Sequence, residues 1–223
     1  MILYYWPGAS SAVPHIVLEE IGAPYERRLV NFTQGEHKSD AYLKINPRGK
    51  VPALAVDGLV LTENLAILIY LAKLFPQARL LPESLTEEAR CTSMMAWFAS
   101  TVHPNFGRII RPQRFASDDA TYANLKSAAR DAFWDNCREI NQLLDGKEWT
   151  MGTQYTIGDP YAFHFYDSGA RINLPMHELA AYTAFSKRML ERPAVRKVHE
   201  LEKNLLKGAN AWDGPYYPQP RRA

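Results

Sequence analysis

Asn46-Pro47-Arg48-Gly49-Lys50-Val51-Pro52-Ala53-Leu54-Ala55-Val56-Asp57-Gly58-Leu59-Val60-Leu61-Thr62-Glu63-Asn64 is the stretch that decides the fold. Pro47, Gly49 and Pro52 punctuate its first part, which reads as a loop. Two apolar runs, 51–56 and 59–61, flank Asp57-Gly58, the dipeptide that favours a two-residue turn between antiparallel strands. Thr62 then reads as the cap of a helix running to about Phe75, with Glu63 in its first turn. Nearer the N-terminus, residues 2–6 form a short apolar run suited to a buried strand, and Pro7-Gly8 ends it. Ser10 and Ser11 offer caps to a helix in which Val13, Ile16, Val17 and Ile21 recur at helical spacing. Pro14 is tolerated in its first turn, and Gly22 stands where a C-terminal cap belongs. Residues 25–30 read as a second strand. A polar stretch, 33–39, leads to a short helix near 40–44. The order is β-α-β-α-β-β-α.

Beyond residue 76 the pattern changes. Residues 77–85 read as a linker, and no strand pattern follows it. Residues 86–111 have helical periodicity through Ala89, Thr92, Met95, Ala96, Ala99, Val102 and Phe106, with a kink expected at Pro104. Further helices are expected over 122–144, from Thr156-Ile157-Gly158-Asp159 onward, over 177–190 and over 193–206. The four-residue opening is of the capping-box kind. Residues 208–223 read as an irregular tail. The expected class is α/β followed by all-α.

The chain has 223 residues, 47% hydrophobic and 22% charged, with a net charge of +2. These values describe an ordinary globular chain of one or two domains. Balanced charge speaks against general nucleic-acid binding, which needs a dense basic footprint. The longest uninterrupted apolar run, 65–72, falls short of the ~20 residues of a membrane helix. No basic region precedes the first apolar run, so no secretory signal is expected. With Cys91 and Cys137 as the only cysteines, a reducing cytoplasm is the expected compartment. His15, His37, His103, His164, His177 and His199 show no metal-ligand spacing, so no metal is expected.

Three places can carry chemistry. Val51-Pro52 starts a strand, either as an ordinary proline turn or as a cis peptide whose Val51 N–H and C=O pair with an extended peptide ligand. Thr62-Glu63-Asn64 is either a plain cap or a site for an α-amino-acid head group, with the helix end taking the carboxylate and Glu63 the ammonium. Ser10 and Ser11 are either caps or hydroxyl donors to a thiolate, where the helix N-terminus adds positive potential.

In this order and spacing the segments resemble the cytosolic glutathione S-transferase superfamily over nearly the whole chain. Residues 46–54 resemble its glutathione loop. Residues 61–67 resemble its glutamate-plus-small-polar motif, with Asn64 where most members have serine. Thr156-Ile157-Gly158-Asp159 resembles its capping box, with Gly158 in place of the usual alanine, and Arg192-Pro193-Ala194-Val195 resembles a signature near the C-terminus. Residues 4–16 look most like the bacterial beta class, with Ser10 at the usual cysteine position. Disulfide exchange requires a thiolate nucleophile, so the resemblance implies a hydroxyl that stabilises the glutathione thiolate instead.

The resemblance further implies a thioredoxin-like glutathione-binding domain over 1–76 and an all-helical domain over 86–207 carrying the electrophile site. It also implies a homodimer and glutathione as co-substrate. Ser10 is the leading catalytic hydroxyl, with Ser11 and Tyr5 as competitors. His103 stands where the beta class has a histidine, followed by Pro104 where a lysine is common. Glutathione-binding candidates are Lys50, Val51, Pro52, Glu63 and Asn64, with Lys38 or His37 for the glycine carboxylate. Electrophile-site candidates are Trp6, Phe98, Phe106 and Tyr166, with Trp212, Tyr216 and Tyr217 in the tail; Arg108 and Arg111 read as solvated. The implied activity is conjugation of glutathione to a small hydrophobic electrophile. The alternatives are a glutathione-dependent disulfide reductase or peroxidase, or a low-turnover binding protein of the same fold.

Overall fold

A computed structural model describes residues 1–208. The tail over 209–223, with Trp212, Tyr216 and Tyr217, lies outside the described residues. Four strands form one sheet: β1 (Ile2–Tyr5), β2 (Glu26–Leu29), β3 (Ala53–Val56) and β4 (Leu59–Thr62), in the order β2-β1-β3-β4. β2 lies parallel to β1, while β3 and β4 run antiparallel to their neighbours, with Leu3 opposite Leu54 and Leu54 opposite Leu61. Asp57 and Gly58 both have positive φ (48° and 81°), as a two-residue hairpin turn of this kind requires. Among these strands run α1 (Ala12–Ile21), α2 (Asp40–Leu43) and α3 (Asn64–Leu74), so the expected β-α-β-α-β-β-α order holds. Gly22 ends α1 in the left-handed conformation, its N–H bonded to the Leu18 carbonyl.

Alternation along β1 splits the core in two. Leu3 and Tyr5 face α1 and α3, packing with Val13, Ile16, Ile67, Leu68 and Leu71. Tyr4 and Trp6 face the other way, with Val30, Phe32 and Tyr42. Successive strand side chains point to opposite faces, so one four-residue strand serves both layers.

The helical part comprises α4 (Leu85–Trp97), α5 (His103–Ile110), α6 (Asp119–Leu144), α7 (Gly158–Arg171), α8 (Ala180–Glu191) and α9 (Pro193–Gly208). Several boundaries differ from expectation. The linker contains a 3-10 turn at Pro76–Ala78. The helix expected over 86–111 is interrupted by a π turn at Phe98–Val102, in which the His103 N–H reaches back five residues to the Phe98 carbonyl. Pro104 has no N–H and would crowd the carbonyl four residues earlier, so the irregularity forms just ahead of the proline rather than at it. α6 starts at Asp119 because the Asp118 carboxylate accepts the Thr121 N–H at 2.9 Å. α8 starts at Ala180, after a 3-10 turn at Met176–Glu178.

Asp159 closes the expected capping box. Its two oxygens accept the N–H groups of Thr150 and Thr156, each at 2.7 Å, and it is wholly buried. The two parts of the chain are joined by a bidentate Arg192–Glu20 pair at 2.7 and 2.9 Å. Charged side chains of α7 and α9 also grip the Gly8 turn: Glu202 accepts the Gly8 N–H and Arg171 donates to the Gly8 carbonyl, both at 3.0 Å.

Candidate active site

The turn that carries Ser10 faces a cleft of about 400 Å³ between the sheet domain and the helical domain. On the sheet side the cleft is lined by Ser10, Arg48, Lys50, Val51, Pro52, Glu63 and Asn64. The loop before β3 is held from within. Tyr42 Oη and Asn46 Nδ2 both donate to the Lys50 carbonyl at 2.7 Å, and Asn46 Oδ1 accepts the Arg48 N–H. Gly49 has φ 58°, and a Cβ there would lie 2.7 Å from the His37 carbonyl oxygen, so only glycine fits this bend. Val51-Pro52 is cis. Asn64 Nδ2 donates to the Ser10 carbonyl at 3.1 Å, tying the start of α3 to the turn before α1.

Glu63, not Thr62, occupies the N-cap position of α3, with φ 72° and no capping bond from its side chain. Its carboxylate is therefore exposed at the cleft rather than spent on the helix end. A left-handed φ is unusual for glutamate, and such backbone outliers cluster at functional sites.

The three hydroxyl candidates separate. Ser10 lines the cleft. Ser11 is fully buried; its Oγ accepts the Trp6 N–H at 3.2 Å and donates to the Trp6 carbonyl at 3.1 Å, which locks the turn. Tyr5 points to the opposite side under α1, its ring centroid 5.7 Å from that of His15, because strand alternation turns it away.

On the helical side stand Ala99, His103, Phe106, Ile110, Arg111, Arg114, Phe115, Tyr161 and His164, with Phe32 joining from the sheet domain. Of the expected aromatic candidates among the described residues, only Phe106 reaches the cleft. Trp6 stacks on Phe32 on the α2 face (5.7 Å, 8°). Phe98 is wholly buried, edge-on to Tyr161 and Phe165. Tyr166 turns toward α8, with its hydroxyl 3.1 Å from Thr183 Oγ1. Lys38 is exposed on a 3-10 turn and His37 packs against Phe32 with centroids 4.3 Å apart; neither lines the cleft. Arg111, expected in solvent, lies over the Phe32 ring at 5.2 Å and lines the cleft; Arg108 packs over Phe115 at 5.4 Å.

Burial, helped by Arg111, Lys50 and Arg114, pushes the His103 imidazole down to about 4, and burial with Arg171 and His103 holds His164 well below its ordinary value. Burial pushes the Cys91 thiol up to about 11 and that of Cys137 to about 12; both are free and wholly buried. Phe32, Ile110, Arg114, Phe115, Tyr161 and His164 were not singled out as cleft residues from the sequence. The one available signal was helical spacing from Phe106 to Ile110 and from Tyr161 to His164. Among the described residues no group of three His, Cys, Asp or Glu could hold a metal ion, and no helix is long and apolar enough to cross a membrane.

A thioredoxin-like sheet domain joined to an all-helical domain, with a polar cleft at the first strand-to-helix turn, defines the class of protein. The family described as glutathione S-transferase, N-terminal domain, matches residues 1–73. Glutathione S-transferase GstA of Escherichia coli O157:H7 is 32% identical over 199 residues, covering 88% of this chain and 96% of that protein. A glutathione transferase homologue from Sulfitobacter, solved with bound glutathione, superposes with a TM-score of 0.85 at 28% identity, covering 89% of this chain and 96% of the other. The bacterial beta class enzyme of Sphingomonas chungbukensis gives 0.80 at 32% identity, covering 91% and 98%. The chain belongs to the glutathione S-transferase family.

Proposed function

We propose that the protein binds glutathione on the sheet side of the cleft and directs its sulfur at a hydrophobic electrophile held by the helical side. In this reading Glu63 and the end of α3 take the γ-glutamyl head, the Val51 main chain pairs with the cysteinyl unit, and Lys50 meets a carboxylate. Residues 1–76 supply this half, and 86–207 supply the electrophile wall through Phe106 and its neighbours, with His103 beside it. The observation that carries the reading is the Asn64–Ser10 bond, which ties the amino-acid-binding helix end to the only candidate hydroxyl that lines the cleft.

A free thiol with pKa near ~8.5 is only about 3% ionised at pH 7; lowering the pKa by ~2 units takes about 2.7 kcal/mol and raises the thiolate to about 75%. One charge-assisted hydrogen bond supplies ~1.5–3 kcal/mol, and a helix N-terminus ~0.3–1. Ser10 with the start of α1 is therefore sufficient, with no base or metal. The deep burial of both thiols favours conjugation over an enzyme-thiol exchange mechanism, since a thiol must reach its partner and ionise to exchange.

Ultraviolet titration of the bound thiol tests the assignment. Ser10→Ala should raise the thiol pKa by ~1–2 units, and Ser11→Ala should act mainly on stability. An unchanged thiol pKa in Ser10→Ala removes Ser10 from the role.

We further place the protein in the cytoplasm, in detoxification, as a homodimer. Leu59 and Val60 on edge strand β4 and Leu85 at the start of α4 are exposed apolar residues suited to a second copy. Light scattering reads the mass directly, and a monomer would sink that part.

A further inference from the structure

Neighbouring residues at the start of α3 point to different places. Glu63 is exposed at the cleft, whereas Asn64, the first residue of the helix, is only 6% exposed. The Asn64 amide reaches inward to the turn before α1, where Nδ2 donates to the Ser10 carbonyl at 3.1 Å. The same carbonyl accepts the Val13 N–H at 3.2 Å, from the first turn of α1. Two donors from two helices therefore hold one carbonyl. A planar peptide unit held at two points leaves the adjoining Cα little freedom, and the Ser10 Cα carries the hydroxyl that lines the cleft. Glu202 and Arg171 grip the turn at Gly8 from the helical domain, and Asn64 grips it at Ser10 from the sheet domain. Two of the places where this chain departs from the family pattern, Ser10 and Asn64, are thus joined by one hydrogen bond.

We infer that Asn64 is a positioning residue for sulfur activation, acting through Ser10, and that its side chain is not a ligand of glutathione. The inference rests on the glutathione-conjugation reading, with Ser10 as the hydroxyl donor. In it the γ-glutamyl carboxylate falls to the main-chain N–H groups at the start of α3, which no carbonyl of the helix can reach, and the ammonium falls to the Glu63 carboxylate. Head-group binding and thiol ionisation are then divided between adjacent residues. Serine, the residue expected at 64 from the resemblance, carries its hydroxyl directly on Cβ, one bond short of an amide nitrogen, and would not reach the Ser10 carbonyl from this backbone. A hydroxyl stabilises a thiolate only when it is aimed, because a hydrogen bond weakens steeply with misalignment. With serine rather than cysteine at 10, the aim of the side chain decides how well the sulfur ionises, and the Asn64 amide supplies that aim.

The test separates thiol ionisation from binding. Ultraviolet titration gives the pKa of the bound glutathione thiol. Calorimetry with γ-glutamyl-2-aminobutyryl-glycine, in which a methyl group replaces the thiol, gives the affinity for the rest of the tripeptide. Asn64→Ala leaves the Ser10 carbonyl bonded to the Val13 N–H, so it orphans no acceptor there. It should raise the thiol pKa by ~0.5–1 unit, while the Kd of the analogue stays within ~3-fold of the parent. Asn64→Ser should behave as the alanine variant does. In the Ser10→Ala background Asn64→Ala should add nothing to the rise, because both changes act on one hydroxyl. An unmoved thiol pKa, an analogue weakened beyond that limit, or a rise that persists undiminished in the Ser10→Ala background overturns the inference while leaving glutathione binding intact. Should Asn64→Ala not fold, Asn64→Ser decides alone. Absence of glutathione binding to the wild-type protein, or an unchanged thiol pKa in Ser10→Ala itself, would instead overturn the underlying reading.

Discussion

Glu202→Ala probes how the helical domain controls the position of Ser10. Glu202 lies on α9, 194 residues away in sequence from Gly8, whose N–H it accepts at 3.0 Å. Gly8 is buried, with φ 72°, two residues before Ser10. The carbonyl of the same residue accepts from Arg171. Removing the carboxylate leaves a buried donor unpaired and discards a hydrogen bond to a charged group, a loss of ~1.5–3 kcal/mol. In a chain of this size ~1 kcal/mol moves the melting temperature by roughly 2–4 °C, so the expected fall is about 3–12 °C. Glu202→Gln keeps an acceptor without its charge, and a neutral bond contributes ~0.5–1.5 kcal/mol, so it should lose about half as much. The second readout is the thiol of bound glutathione. With Glu202 gone from the Gly8 N–H, Ser10 samples more positions, and the thiol pKa should rise in the alanine variant and recover in the glutamine variant. Thermal melts and ultraviolet titration measure the two effects on one preparation. An alanine variant that melts with the parent, or one that loses stability without moving the thiol pKa, refutes the idea that α9 positions the turn that carries Ser10.

Four further outcomes follow from buried groups. Asp159→Ala leaves the Thr150 and Thr156 N–H groups buried and unpaired, and chemical denaturation should show a loss of ~3–6 kcal/mol or no folded protein. Burial pushes the Asp159 carboxyl up to about 6 from 3.8, so its contribution is fully present below 3.8 and is lost as pH rises through about 6. The stability advantage of the parent over Asp159→Asn should therefore shrink by about 3 kcal/mol across that window. His103 has the opposite sign: with its pKa lowered to about 4 from 6.5, its contribution is complete above 6.5 and is lost as pH falls through about 4. His103→Phe should thus flatten the acid limb of the stability curve by roughly 3 kcal/mol. A Cβ on Gly158 would crowd Met94 Cε, the free end of a flexible side chain, and would lie 3.2 Å from Thr150 Oγ1; with both side chains giving way, Gly158→Ala should raise stability by up to ~1 kcal/mol, which a shifted denaturation midpoint would reveal.

Much of this molecule is legible in the sequence because local signals and the global fold agree. The Asp57-Gly58 hairpin, the Gly22 cap and the Thr156–Asp159 box depend on residues a few positions apart, and each forms as read. Placement of side chains across domains is less legible. Trp6, Phe98 and Tyr166 are as aromatic as Phe106, yet the direction each faces depends on which helix packs beyond it. The π turn at Phe98–Val102 has no periodic signature, and it decides how α5 is turned. Glu63 looks like an ordinary first-turn acid, and only its backbone conformation shows that the helix starts one residue later. His164 sits in an aromatic helix and reads as core; the near-parallel packing of His103 and His164 across α5 and α7 is a tertiary fact.

The π turn carries a wider consequence. An α-helix rotates by about 100° per residue, so a single surplus residue at Phe98–Val102 sets the phase of everything after it in α5. Phe98 and Val102 stay inside the core while Phe106 and Ile110 line the cleft. Gain or loss of one residue at this joint would swing that wall to a new aspect, while the turn that carries Ser10 is built from other elements. A family built this way can retune what it conjugates by adjusting one gear tooth, and sequence-length differences just ahead of Pro104 become the place to look when relatives disagree about their electrophiles.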